Sequence, residues 1–426
     1  MSIGQISFSK KILKLYKTKG IRTISGVLSA NIFNQAISFL IIILATKLLS
    51  VSDFASFAIA MSITMLWGLF LDFGLSTTIV RKFNTLEVEN KKRDFLRLSY
   101  YWKILVCLIN IIISFPLTKL SIFYYPILQG YEYLIYISYL SGGLLSLWMT
   151  VRAIEQAQKN FANFKKYTFI YGLLRLILIS LILVFDKFEV SYVFLTLYAL
   201  PLFLLLLLDV VKNSGFMKGL YKANWKEFLL ISFSYSKWVA LSGLCFILLL
   251  RLPQFTLGAS TSEKEVALYS SAITFVVVFS LLNDAIRTVI MPDIANIKTS
   301  EQRKAYKAKL LKFLPVVFVL GFVIIGIISV MIFFLLDEVY KESIPVFWII
   351  GVANVMMIYI GLFNILIHSY GVPKIDAINN LIRLSVLIVL LILVPKNALI
   401  VSLTYAIVAV LGELYLLFKI RKLERG

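Results

Sequence analysis

From residue 24 onward the chain alternates long apolar runs with short polar segments. The apolar runs cover 24–46, 54–80, 98–120, 127–151, 167–185, 190–211, 229–257, 265–291, 310–336, 344–369, 375–394 and 397–418. Each is long enough, as a helix rising 1.5 Å per residue, to cross the roughly 30 Å of a bilayer's hydrocarbon, some with tilt. The pattern predicts an all-α polytopic membrane protein with about twelve transmembrane helices, numbered here spans 1 to 12.

Composition agrees. Of 426 residues, 60% are hydrophobic and 15% charged, with a mean hydropathy of +0.90. A soluble fold of this length has too little polar surface to cover so much apolar side chain. The first 22 residues, "MSIGQISFSKKILKLYKTKGIR", are basic and lack an apolar core with a small-residue cleavage site. They are expected to remain as a cytoplasmic tail or interfacial helix. Cys107 and Cys245 lie far apart in apolar runs, so neither a disulfide framework nor a cysteine metal site is expected.

Charge then orients the spans. Lys and Arg concentrate in the N-terminal tail, in the segments after spans 2, 4, 6 and 8, and at the C-terminus; the segment after span 10 holds one. The six opposite loops carry one each: Lys47, Lys119, Lys187, Lys264, Lys341 and Lys396. This asymmetry puts both termini in the cytoplasm. The net charge of +21 is therefore mainly topological, and with no loop long enough to fold alone, a nucleic-acid-binding domain is excluded.

Slid by 212 residues, half its length, the chain meets itself. Asp53-Phe54-Ala55 falls on Glu265-Val266-Ala267, Ala60 on Ala272, Leu69 on Leu281, and Asp72 on Asp284. The basic run "ENKKRDFLRL" falls on "EQRKAYKAKL", and "GLLRLILISLIL" of span 5 echoes "NLIRLSVLIVLL" of span 11. Two parallel six-span repeats follow, an N-lobe over 24–211 and a C-lobe over 229–418. They are flanked by a basic tail (1–23) and C-terminus (419–426) and joined by a linker (212–228). Such an arrangement places the substrate between rocking lobes.

A charge inside lipid costs about 3 kcal/mol, so intramembrane polar residues mark a cleft or a pairing. Asp72 and its repeat partner Asp284 are candidates for gating or ion coupling; Asp72 should face the cleft or pair with another helix, and Arg287, three residues on, could neutralise Asp284. Asn31, Asn34, Gln35 and Ser38 share one face of span 1 at i, i+3, i+4, i+7 and either line the cleft or glue helices together. Arg251, opposite Phe39 in the repeat, either lines the cleft or snorkels to the interface, and Pro253 marks a kink or hinge beside it. Arg175 and Arg383 sit at the centres of spans 5 and 11, where they meet an anion or belong to ion pairs. With Arg287 and Lys237, the balance inside the spans is positive, which favours anions over organic cations. His368 reads as an interfacial histidine. No phosphate loop, HExxH or GxSxG is present, and the outer loops are short, so a transporter is expected rather than an enzyme, with no metal or cofactor.

Three stretches carry a family resemblance: "ATKLLSVSDFASFAIAMSITMLWGLFLDFGLSTTIVRKF", "LRLPQFTLGASTSEKEVALYSSAITFVVVFSLLNDAIRTVIMPDI" and "HSYGVPKIDAINNLIRLSVLIVLLILVPKNALIVSLTYAIV". The chain resembles the O-antigen and polysaccharide flippases of the multidrug/oligosaccharidyl-lipid/polysaccharide (MOP) exporter superfamily. The resemblance implies two six-helix lobes around a central cavity lined by spans 1, 2, 7 and 8. It also implies flipping of an undecaprenyl-pyrophosphate-linked oligosaccharide, an O-antigen or capsule repeat unit for lipopolysaccharide or related glycans, across a bacterial inner membrane. In that reading Arg251, Arg175, Arg383 and Arg287 meet pyrophosphate, and Asn31, Asn34 and Gln35 meet sugar. Asp72 and Asp284 gate or couple to a proton or sodium gradient, and other polysaccharide-assembly membrane proteins are candidate partners. The alternative is a cation-coupled multidrug antiporter of the same superfamily. Two departures matter: related sequences often carry an acidic residue at the Arg251 position, and the peptidoglycan-precursor flippases usually have two more spans.

Overall fold

The computed structural model describes residues 19–83, 86–212, 225–259, 262–295, 300–364 and 374–423. Among these, twelve long helices follow the spans in order, and no strand occurs. They are α1 (Lys19–Leu48), α2 (Val51–Asp72), α3 (Glu89–Tyr124), α4 (Glu132–Ala157), α5 (Phe161–Val184) and α6 (Val190–Lys212). The second set is α7 (Trp225–Gly258), α8 (Glu263–Ala295), α9 (Ser300–Leu335), α10 (Ser343–Asn364), α11 (Lys374–Leu393) and α12 (Ala398–Leu423). Ten segments are long and apolar enough over their described residues to cross a bilayer. In α11 the apolar stretch over described side chains is Ala377–Leu393.

The two halves pack by the same scheme. In the first, α1 lies on α5, while α4 receives both α2 and α3; in the second, α7 lies on α11, while α10 receives α8 and α9. The helix starts Val51 and Glu263, and Glu132 and Ser343, recur about half a chain apart. The two lobes meet where α2 packs against α7 and α8, and α1 against α8. Every residue of α2 from Phe54 to Thr64 is buried, because this helix is wedged between α4 and the other lobe. Small side chains make that wedge fit: a Cβ on Gly68 would stand 3.2 Å from the Gly142 carbonyl oxygen of α4. Outward-facing side chains such as Ile112, Phe123 and Val184 are more than three-quarters exposed, the surface lipid covers.

Three features depart from the apolar pattern. Span 2 is not one helix. It stops at Asp72, turns through Phe73 (φ 48°) and Gly74 (φ 70°), and restarts as a short helix, Leu75–Phe83. Glycine takes the left-handed conformation without a Cβ penalty, and apolar residues on both sides hide the stop from a hydropathy reading. The repeat partner α8 has Ile286 where α2 has Gly74 and runs unbroken. Second, α3 and α9 have 36 residues each, about 54 Å, so both extend well beyond their apolar runs. Third, α6 contains a π turn at Leu195–Ala199, closed by the Leu200 N–H donating to the Leu195 carbonyl. By contrast α7 runs unbroken from Trp225 to Gly258, helical through Pro253.

Candidate functional site: an arginine-lined cavity

A cavity of about 440 Å³ sits midway along the bundle. Asn34, Gln35 and Ser38 of α1, Met65 of α2, Arg152 of α4, Arg175 of α5, Tyr198 of α6, Arg251 of α7 and Thr274 of α8 are among its walls. Spans 1, 2, 7 and 8 thus contribute as expected, and so do α4, α5, α6 and α9.

Three guanidinium groups line it. Arg175 is 2% exposed; it donates to the Asn34 side-chain oxygen (2.9 Å) and to the Ser38 hydroxyl (2.6 Å), and lies 5.0 Å from the Tyr171 ring centre. Arg152 donates to the Asn31 side-chain oxygen (3.3 Å) and lies 4.4 Å over the Phe164 ring. Arg251, from the other lobe, reaches the Ser62 hydroxyl (3.5 Å) and the Met65 sulfur (2.9 Å) of α2. The Nε of each is buried and has no hydrogen-bond partner. No Asp or Glu is among the lining residues, and among the described residues none of the three makes an ion pair. Three cations held by neutral acceptors, with donors to spare, are chemically suited to a multiply charged anion.

The amide stripe of α1 has two jobs. Asn31, Asn34 and Ser38 hold Arg152 and Arg175 in place, whereas Gln35 lines the cavity without a hydrogen bond among the described residues. Arg152 is absent from the sequence-derived candidates because the apolar run ends at 151; α4 continues to Ala157 and carries it one turn past Trp148, on the same wall.

Three described sequence candidates are not among the lining residues: Asn31, which holds Arg152 from behind, Asp72 and Arg383. Asp72, 3% exposed, pairs with Lys103 of α3 at 3.4 Å and accepts from the Ser76 hydroxyl at 2.6 Å. Arg383 of α11 pairs with Glu413 of α12 at 3.1 Å and donates to the Ala409 carbonyl at 3.0 Å. Sequence reading leaves out Lys103 and Glu413, and also Asp209 of α6, which is buried and accepts from the Tyr100 and Tyr167 hydroxyls at 2.8 and 2.9 Å. Asp284 and Arg287 belong to α8, but their side chains, like all of His368, lie outside the described residues. Among the described residues no group of three or more His, Cys, Asp or Glu side chains could hold a metal ion.

Residues 43–345 match the family described as polysaccharide biosynthesis protein. No curated protein matches the sequence. Among solved structures, the chain resembles the lipid II flippase MurJ in an inward closed conformation, with 17% identity and a TM-score of 0.70 over 93% of this chain and 87% of that one. It also resembles an outward-facing multidrug resistance MATE family transporter of the MOP superfamily, with 12% identity and a TM-score of 0.64 over 97% and 98% of the two chains. A third is a MOP superfamily transporter from Pyrococcus furiosus described by the reverse polarity of its binding pocket, with 11% identity and a TM-score of 0.64 over 95% of each chain. At these identities the structures establish a shared fold. The chain is a multi-pass membrane protein with the fold of MOP superfamily transporters, and it belongs to the polysaccharide biosynthesis protein family.

Proposed function

We propose that this chain flips an undecaprenyl-pyrophosphate-linked oligosaccharide, an O-antigen or capsule repeat unit, from the cytoplasmic to the outer leaflet of a bacterial inner membrane. The observation that carries the reading is the convergence of Arg152, Arg175 and Arg251, from both lobes, on one cavity without a lining carboxylate. Forked guanidinium donors suit phosphate oxygens, and a pyrophosphate compensates charges that are costly to bury alone. Gln35 and Asn34 stand beside the arginines, placed to meet sugar hydroxyls. A cavity of about 440 Å³ is the size of a small-molecule site, so it takes the charged head and proximal sugar while the isoprenoid tail stays in lipid. The distribution of Lys and Arg puts both termini in the cytoplasm, which makes the Val51 and Gly258 ends of α2 and α7 the outer ones. The lobes then rock about the site in alternating access.

A cation-coupled antiporter needs a free carboxylate for its cargo or its ion. Asp72, the described candidate, is committed to Lys103, and the cavity repels organic cations.

The test is deletion and complementation in the source organism. Deletion should abolish surface glycan and leave complete lipid-linked glycan in the inner leaflet; wild type should restore export and Arg175→Ala or Arg251→Ala should not. Normal surface glycan together with new sensitivity to cationic dyes would overturn the reading.

A further inference from the structure

Just outside the arginines, toward the outer end, a chain of buried polar groups crosses between the lobes. The Ser62 hydroxyl of α2 donates to the Gln254 side-chain oxygen of α7 at 2.6 Å, and the Gln254 amide nitrogen donates to the Ser270 hydroxyl of α8 at 2.7 Å. The three residues are 0%, 1% and 2% exposed. The surroundings are apolar and tightly closed: a Cβ on Gly258 would stand 3.7 Å from Ile59 Cγ1, and Phe39 meets Phe275 edge to face at 4.9 Å. An amide buried in such a seam is stable only while both its ends are bonded, so the bridge strongly favours the closed seam over a partly open one. The same Ser62 hydroxyl also receives the long 3.5 Å contact from Arg251. One hydroxyl therefore touches both the anion receptor and the bridge.

We infer that Gln254 is the latch that holds the lobes together at the outer end of the cavity, and that Arg251 couples this latch to cavity occupancy. An anion drawing Arg251 off Ser62 and Met65 removes the cationic donor that fixes the Ser62 hydroxyl toward Gln254. Occupancy thereby loosens the outer seam. The inference rests on the flippase reading only for the identity of the anion.

The test uses the full-length protein with Cys107→Ser and Cys245→Ser, carrying Ile59→Cys and Gly258→Cys as a cross-linkable pair across the seam. Gln254→Met, which keeps length but loses both bonds, and Ser270→Ala, a minimal change, should each lower the cross-link yield at least threefold. Inorganic pyrophosphate should lower it in the parent but not with Arg251→Met. Yields unchanged in both latch variants overturn the latch. A parent seam that ignores pyrophosphate, although equilibrium dialysis shows it bound, overturns the coupling. Absence of pyrophosphate binding counts against the flippase reading and removes the coupling, while the latch stands or falls on the two variants.

Discussion

The Lys103 ammonium reaches past the Asp72 carboxylate, 3.4 Å away, to the Leu71 carbonyl at 2.6 Å and the Ser146 hydroxyl at 2.8 Å. It thus neutralises the carboxylate, caps the C-terminal end of α2 where carbonyls lose their helical partners, and ties α2 and α3 to α4. Asp72 in turn accepts from the Ser76 N–H and hydroxyl at the start of the short helix. The pair is the fastening of a joint.

Breaking one side of it leaves a buried charge alone. Asp72→Asn or Lys103→Met should each destabilise the protein by about 3–5 kcal/mol, whereas Asp72→Leu with Lys103→Met should recover most of that loss. Thermal unfolding in detergent measures both; a double variant as unstable as the sum of the singles would contradict the pairing.

The joint also depends on Gly74, at φ 70°. Gly74→Ala should cost about 1–2 kcal/mol and Gly74→Val more, read as the same thermal shift, since a Cβ strains the left-handed turn.

At the cavity, charge alone should not suffice. Arg175→Lys keeps the cation but cannot bond Asn34 and Ser38 together, and it should export surface glycan at less than a tenth of the wild-type level in complementation. Gln35→Ala, which loses one cavity-lining amide, should reduce export only a few-fold.

Arg383 should behave differently. Its donors go to Glu413 and Ala409, and its stem packs over Gly412. Arg383→Met should lower thermal stability, and Arg383→Met with Glu413→Leu should restore it, with pyrophosphate binding by equilibrium dialysis unchanged in the double variant. Loss of binding there would place Arg383 in the substrate site.

What the sequence made legible were single charges set in unbroken apolar runs. Arg175 and Arg251 stand out because each is a charge within its apolar run, and the amides of span 1 stand out by helical spacing. Residues near the ends of apolar runs are concealed: Lys103, five residues into its run, reads as part of the basic segment before it, and Arg152 looks like a loop charge until α4 is seen to continue past the hydrophobic segment. Partners on different helices are concealed as well. Glu413 lies 30 residues beyond Arg383 and Tyr100 lies 109 before Asp209, and no local pattern records either pairing. The stop at Phe73-Gly74 had its glycine in plain view, but the apolar run continued through it.

The π turn of α6 has a consequence for chain register. It inserts one residue into the helix, and each residue in an α-helix advances the direction of its side chain by about 100°. Everything from Leu200 to Lys212 is therefore rotated by that amount relative to an uninterrupted helix. Asp209 faces the hydroxyls of Tyr100 and Tyr167 in this phase; one residue fewer would swing its carboxylate about a quarter of the way round, off both. Leu197 and Tyr198, which line the cavity, lie within the bulge itself. A single inserted residue thus sets the bearing of one half of α6 against the other, as a shim sets a hinge.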